Sequence, residues 1–324
     1  MIRVGVIGYG TIGQIHCAAL QEVSGCKLVA AADVDPEARA RAQKDFNVEV
    51  FASAEAMLAS AEVDLVDICV PTHLHESIML KAMEADKHIF CEKPLARSLE
   101  EGRRLVDLSK GYRRKIGIGH VVRFTPPYIG MRQSVEQGEV GRVGVVRTFR
   151  GGSQFPVGWQ DWFANFELSG GVILDLMIHD LDFCLALFGD VERVYAKSTY
   201  GRTEAKLEHA MAVLRFKNGV IAHLEASWTS LAGQFYTTLE VAGKDGLITY
   251  DSRQSSPLSA VTGAGAAGQI GPVSVNPYAL ELQDMVEAIE NDRSPLVSVE
   301  DAFGALEVAL AAIESARTGQ VVEL

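Results

Sequence analysis

The sequence predicts an α/β chain in two parts: a doubly wound parallel sheet over residues 1–122, then an α+β domain over 123–324 on a large open, mainly antiparallel sheet. Three observations carry this. The first 120 residues alternate short β-branched runs with helical patterns. The first strand runs directly into Gly8-Tyr9-Gly10-Thr11-Ile12-Gly13. After about residue 123 the rhythm changes to consecutive strands with period-two alternation.

In order, Arg3–Ile7, Leu28–Ala32, Leu65–Val70, His88–Cys91 and Lys115–Ile118 read as strands apolar on both faces, as a sheet covered by helices on each side requires. The intervening stretches near Gly13–Val23, Pro36–Phe46, Leu74–Ala85 and Leu99–Lys110 supply those helices. A helix near Pro127–Gln137, a strand Arg142–Phe149 and a Trp/Gly-rich segment to Gly171 follow, then a long helix Gly171–Phe188. Strands are expected near Val191–Ser198, Ala205–Phe216, Val220–Ser227, Tyr236–Ala242 and Gly246–Tyr250. Val220, Ala222, Leu224, Ala226 and Trp228 alternate with Ile221, His223, Glu225 and Ser227, and Asn218-Gly219 is a hairpin signal. Ser252–Pro272, rich in glycine and alanine, reads as a flexible loop. Asn276-Pro277 opens one closing helix, and Ser298 with Asp301 forms an acidic capping box for the last. These C-terminal helices are expected to pack back on the first domain.

The 324 residues are 48% hydrophobic and 22% charged, enough for two cores. A net charge of −12 argues against a nucleic-acid or anionic-membrane partner, because phosphate would be repelled. No apolar run reaches the roughly 18 residues that a membrane span needs. Five widely spaced cysteines without CxxC pairing argue against a metal centre or disulfide framework, and a reducing cytoplasm is the expected setting.

The glycine loop carries the first functional reading. Gly8 permits a tight turn, Gly10 lets the backbone approach a pyrophosphate, and Gly13 lets the helix pack on the strand. The helix N-terminus at Thr11 and Ile12 then offers N–H groups to phosphate. Asp33, twenty residues past Gly13, ends the next strand and suits the adenosine ribose hydroxyls. A carboxylate there favours NAD over NADP, whose 2′-phosphate it would repel; the adjacent residues Val34, Asp35 and Pro36 bring no base.

Two more strand ends carry polar groups where ligands of open α/β sheets bind. Pro71-Thr72-His73-Leu74-His75 supplies either ordinary loop capping or contacts to the nicotinamide side of the cofactor, through Pro71, Thr72 and His75. Glu92-Lys93-Pro94 supplies either a local ion pair or an ammonium, Lys93, that hydrogen-bonds a substrate hydroxyl and exchanges its proton. A sharp turn that holds Lys93 outward also calls for a cis Lys93–Pro94 bond. In the otherwise apolar helix from Gly171, Asp175, His179 and Asp182 fall within roughly 60° of one another at ~100° per residue. Ionisable groups on such a helix are costly unless they have a task or a partner. The stripe is read as cleft-facing, with His179 as acid/base and Asp175 fixing its ring.

Together, the Gly8–Gly13 loop with Asp33, Pro71-Thr72-x-x-His75, Cys91-Glu92-Lys93-Pro94-Leu95 and Ser169-Gly170-Gly171-x-x-x-Asp175-x-x-x-His179-x-x-Asp182 resemble the Gfo/Idh/MocA family. The resemblance spans essentially the whole chain. It implies a Rossmann domain and a C-terminal sheet that supports substrate and joins copies into a homodimer or homotetramer. It also implies that Lys93, Asp175 and His179 hold the family's catalytic positions, with Asp182 beside them. The stretch Asp175–Asp182 is most similar to the inositol dehydrogenase branch, whose members tend to place a Tyr near Phe235, which makes Tyr236 a substrate candidate. In the variable segment Gly151–Ser169, Trp162 and its aromatic neighbours either pack under a long connection or form a stacking wall for a cyclic substrate.

The expected function is an NAD-dependent oxidoreductase moving a hydride between nicotinamide and a hydroxyl or ketone carbon of a polyol or sugar. The hydroxyl is expected between Lys93 and His179. The alternative is a non-catalytic NAD-dependent regulator of the same fold, against which Lys93, Asp175 and His179 all count.

Overall fold

The computed structural model describes residues 1–199, 206–228, 233–254, 258–262, 267–270 and 275–324. Two compact units emerge, Met1–Val121 with Gly158–Trp162 and Asn276–Phe303, and Val122–Val157 with Phe163–Val275 and Gly304–Leu324.

The first unit begins β1 (Ile2–Ile7), α1 (Thr11–Ala19), β2 (Cys26–Ala32), α2 (Pro36–Phe46), β3 (Glu49–Phe51) and α3 (Ala54–Ser60). It continues with β4 (Leu65–Ile68), α4 (His75–Glu84), β5 (His88–Glu92), α5 (Leu99–Ser109) and β6 (Ile116–Gly119). The strands are all parallel, in the order β3-β2-β1-β4-β5-β6. The order reverses direction between β1 and β4, so their carboxyl ends open the crevice where such folds bind ligands. Val4, Val6, Leu65, Ile68 and Ile89 are fully buried between the helical layers. β3 and α3 have no counterpart in the sequence reading, because a three-residue strand shows no measurable period. The helix starts are set locally. The Asp35 side chain accepts from the Glu37 N–H beside Pro36, and Ser98 and Glu101 form a reciprocal capping box.

The second unit contains α6 (Pro126–Glu136), β7 (Val143–Gly151), α7 (Phe166–Ser169), a π-helical turn Ile173–Met177 and α8 (Ile178–Phe188). Then come β8 (Val191–Ser198), β9 (Glu208–Phe216), β10 (Ile221–Trp228), β11 (Tyr236–Gly243), β12 (Gly246–Asp251), β13 (Leu258–Thr262) and β14 (Ala267–Ile270). The first unit resumes with α9 (Pro277–Glu290); α10 (Val299–Thr318) and β15 (Val322–Glu323) close the chain. The second sheet runs β14-β13-β12-β11-β7-β10-β9-β8-β15. Within this sheet only β7 and β10 pair in parallel among the described strands.

Ala222, Leu224 and Ala226 of β10 are buried, while Ile221 is 40% exposed, as the alternation requires. Gly219 takes φ +97° in the β9–β10 hairpin. The expected loop Ser252–Pro272 is corrected: β13 and β14 extend the sheet edge there by backbone pairing, which a Gly/Ala-rich stretch does not announce. Residues 255–257, 263–266 and 271–272 of that stretch, and Ala205 of an expected strand, lie outside the described residues. Among the described residues, no helix is long and apolar enough to cross a membrane.

Candidate functional site

The first unit carries the glycine loop at the carboxyl end of β1. Gly8 sits at φ +94°, and a Cβ there would stand 2.6 Å from the Cys69 carbonyl oxygen. A Cβ on Gly13 would lie 1.9 Å from the Gly8 oxygen, so α1 can approach the turn only with glycine in this place. At Gly10, by contrast, a Cβ would meet nothing within 4 Å. That space beside the α1 N-terminus, whose Gly10 cap carries no side-chain bond, fits a dinucleotide pyrophosphate. Thr11 and Ile12 open α1, exposed and half-exposed.

Asp33 is half-buried at the end of β2. Its carboxylate accepts the Tyr9 N–H at 2.6 Å and the Asp35 N–H at 2.8 Å. Those two bonds fix the acid at the edge of the glycine loop. Arg39 is an unexpected neighbour: its Nη1 donates to the carbonyls of Asp33 at 2.8 Å and Val34 at 3.0 Å. It sits six residues past Asp33, beyond the adjacent Val34, Asp35 and Pro36.

At the end of β4, Pro71 is half-buried and Thr72 is 3% exposed, in a single 3₁₀ turn Thr72–Leu74. The expectation for His75 as a cofactor contact is corrected. Its ring is buried, with Nδ1 at 2.7 Å from the Pro94 carbonyl and Nε2 at 2.9 Å from that of Val70. Burial holds this imidazole below the ordinary histidine range against the pull of the two carbonyls. The ring is thus packed between the β4 and β5 loop ends, its one N–H donating to one of the two carbonyls, and it is not open to a ligand. Trp162 belongs to this unit and places its ring 6.3 Å from that of His73, centroid to centroid.

At the end of β5 the Lys93–Pro94 peptide is cis, as the sharp turn suggested. Lys93 is half-buried. Glu92, at a strand end where cofactor contacts are expected, is instead 6% exposed and faces inward. Its Oε1 lies 3.1 Å from His16 Nε2, and its Oε2 accepts the Lys93 N–H at 3.1 Å. Burial pushes its carboxyl upward, but the His16 hydrogen bond and charge, with Lys93 and His75, together hold it below the usual range.

In the second unit the stripe on the apolar helix resolves into two chemistries. Across residues 171–184, Asp175 and His179 are the two half-exposed positions and every other residue is buried. Asp175 lies inside the π turn Ile173–Met177, and such turns are frequent at functional sites. Asp182 is corrected from substrate contact to structural anion. It is fully buried, and Arg123 grips it with Nε at 2.7 Å and Nη2 at 2.6 Å. On an ideal wheel Asp182 lies about 20° from Asp175, so the contact with Arg123, and not helix phase, sets it apart. A second pair lies beside it: Arg150 bonds Asp180 at 2.8 and 3.0 Å and the Tyr128 hydroxyl at 2.9 Å. Two arginines in apolar segments, matched to two acids on an apolar helix, were the available signal.

Tyr236 is also corrected. Its β11 neighbour Thr237 pairs with Arg150, and Arg150 reaches Asp180 on α8, so Thr237 shares the helix-covered face. Tyr236 points the other way, stacked on Phe149 at 4.6 Å with the Arg253 guanidinium 4.1 Å above it. That is the face of the sheet opposite the one covered by α8.

Residues 2–120 match the family model described as "Oxidoreductase family, NAD-binding Rossmann fold", and residues 128–249 match the "GFO/IDH/MocA C-terminal domain". The chain is 30% identical to a 1,5-anhydro-D-fructose reductase of Ensifer adhaerens, over 100% of this chain and 99% of that one. It is 29% identical to the scyllo-inositol 2-dehydrogenase (NAD(+)) of Bacillus subtilis (strain 168), over 100% and 96%. The crystal structure of a putative myo-inositol dehydrogenase from Sinorhizobium meliloti 1021 superposes with TM-score 0.84 at 26% identity, covering 100% of this chain and 99% of that one.

Proposed function

The chain belongs to the Gfo/Idh/MocA oxidoreductase family, and from that premise we propose that it is an NAD-dependent dehydrogenase of a polyol or sugar hydroxyl, inositol-like or a sugar derivative. The observation that carries the reading is the half-exposure of Asp175 and His179 alone on an otherwise buried helical stretch. Burial of everything around them leaves these two to meet a ligand.

Gly8–Gly13 and Asp33 would hold the dinucleotide, which when bound supplies the hydride acceptor at its nicotinamide. His179 takes the proton of the reacting hydroxyl. Asp175, four residues earlier on the same helical face, orients the imidazole and selects its tautomer. Lys93 is the first unit's candidate to hydrogen-bond a substrate oxygen and favour its developing negative charge. In the reverse direction the same groups return the proton. Asp33 favours NAD, since its carboxylate accepts from ribose hydroxyls and repels a 2′-phosphate; Arg39 is already engaged with two carbonyls. Trp162, beside His73, is the aromatic surface for a ring-shaped substrate.

The open sheet face bearing Tyr195, Met211, Val213 and Ile221, each 39–42% exposed, is the surface through which copies form a homodimer or homotetramer. All five cysteines are free thiols, which supports a reducing compartment such as the cytoplasm.

The test is an NADH-formation screen over inositols, aldoses, sugar acids and amino sugars, with Lys93→Met as control. A substrate turned over by the wild type and not by the control supports the reading. NAD binding without turnover on any of them would favour the non-catalytic regulator.

A further inference from the structure

The first unit buries four ionisable side chains that the reading above does not use as a group. His16 of α1, Asp67 of β4 and Glu281 of α9 are fully buried, and Glu92 of β5 is nearly so. His16 Nδ1 lies 3.0 and 3.2 Å from the two Asp67 oxygens, and its Nε2 lies 3.1 Å from Glu92 Oε1 and 3.8 Å from Glu281 Oε1. Cys69 Sγ stands 3.5 Å from the same Nδ1, and the rings of Phe90 and Tyr278 close the sides. Both Glu281 oxygens are buried without a hydrogen bond among the described residues.

Proton counting constrains this arrangement. A neutral imidazole has one N–H, so it can satisfy a carboxylate at one nitrogen and must present a lone pair to the other. With carboxylates at hydrogen-bond distance from both nitrogens, His16 is satisfied only as the imidazolium. Asp67 and Glu92 then neutralise it with one negative charge to spare, and a third buried carboxylate at Glu281 would be uncompensated. Glu281 is therefore the neutral acid. The same directions follow from the surroundings: burial works against a charged His16, yet the Asp67 charge holds its proton well above the usual range. Burial, with the charges of Glu92 and Asp67, pushes Glu281 well up against the opposing pull of His16.

The Glu92 carboxylate that receives His16 on one oxygen accepts the Lys93 N–H on the other. We propose that His16, Asp67, Glu92 and Glu281 form a buried proton-holding cluster that positions Lys93, with His16 as the bridge and Glu92 as the link to the Lys93 backbone. The inference rests on the reading of Lys93 as a substrate-facing group. His16 and Glu281 are positioning residues. A divalent cation among His16, Glu92 and Glu281 is the competing occupant, and it would require His16 Nε2 to carry no proton.

The experiment uses the full-length protein labelled with ¹⁵N-histidine, His16 being assigned by the signal lost in His16→Gln. Both ring nitrogens of His16 should be protonated at pH 7 and remain so past pH 8. Asp67→Asn, which removes the strongest opposing charge, should move loss of that proton down by roughly 1–3 pH units, and any alkaline fall in kcat should move with it. His16→Gln should lower kcat by roughly 10- to 100-fold through displacement of Lys93, with the KM for NAD little changed. Should that variant not fold, the histidine signal whose titration moves in Asp67→Asn assigns His16, and that shift stands in its place. Glu281→Gln should melt progressively higher than wild type as pH rises above the ordinary glutamate range: unfolded Glu281 ionises there, whereas the folded protein must keep its proton. A bare His16 nitrogen at pH 7, or a stoichiometric divalent metal retained through dialysis against chelator, would overturn the cluster. Full turnover by Lys93→Met with a doubly protonated His16 would instead overturn the role of Lys93 and leave the proton assignment standing.

Discussion

Replacing Asp182 with Leu separates the structural anion from the chemical ones on the same helix. Asp182 is fully buried, the Arg123 side chain is 9% exposed, and two short bonds join them. Removing the carboxylate takes from a nearly buried guanidinium the anion that meets it with two short bonds, a change that costs about 3–5 kcal/mol. For a unit of roughly 200 residues each kcal/mol moves the melting temperature about 2–4 °C, so the expected loss is about 6–20 °C. Arg123→Met in the Asp182→Leu background removes the matching charge and should restore most of that loss, because a buried ion pair is commonly replaceable by apolar residues of similar volume. The assay is a far-UV circular dichroism melt of both variants, paired with kcat at a temperature where each is folded. The double variant should melt near wild type and turn over at a comparable rate. An Asp182→Leu protein that melts like wild type yet has lost turnover would refute the argument and return Asp182 to the substrate.

Other outcomes follow from the same geometry. Asp33→Ser removes the acceptor fixed by Tyr9 and Asp35, and should weaken NAD by about 1.5–3 kcal/mol, roughly 10- to 150-fold in Kd. The gap to NADP should narrow, and a fluorescence titration showing wild type binding NADPH more tightly than NADH would contradict the role given to Asp33. Asp175→Asn keeps the shape of the π turn and should lower kcat less than loss of His179 does. In a double-mutant cycle the pair should be less than additive, since the two act as a unit; strict additivity would separate them.

Much of this arrangement is legible in the residues themselves. A strand followed by Gly8–Gly13 and an acid at Asp33 has few structural readings, and the period-two runs of β10 and its neighbours fix which side chains are covered. What escapes is whatever depends on contacts between distant segments. Asp175, His179 and Asp182 look equivalent on a helical wheel, and only the presence of Arg123, 59 residues away, makes one of them a structural anion. His16 reads as an ordinary residue of a cofactor-binding helix; its partners Asp67 and Glu92 lie 51 and 76 residues further on. Tyr236 and Thr237 differ by one position, and in a strand one position is the whole difference between two faces. Arg39 is hidden because the helix between it and Asp33 folds it back onto two carbonyls. β13 and β14 pair through backbone groups, which leave no trace in composition.

The central claim is that His179 moves the proton. Its most direct test is the pH dependence of kcat for oxidation, in wild type and His179→Ala, with a substrate returned by the NADH-formation screen. The wild-type rate should rise with pH as the imidazole loses its proton. The His179→Ala protein should be roughly 10²–10⁴-fold slower and lack that limb, while NAD affinity is unchanged. A His179→Ala enzyme with full turnover and an unaltered pH profile would contradict the account.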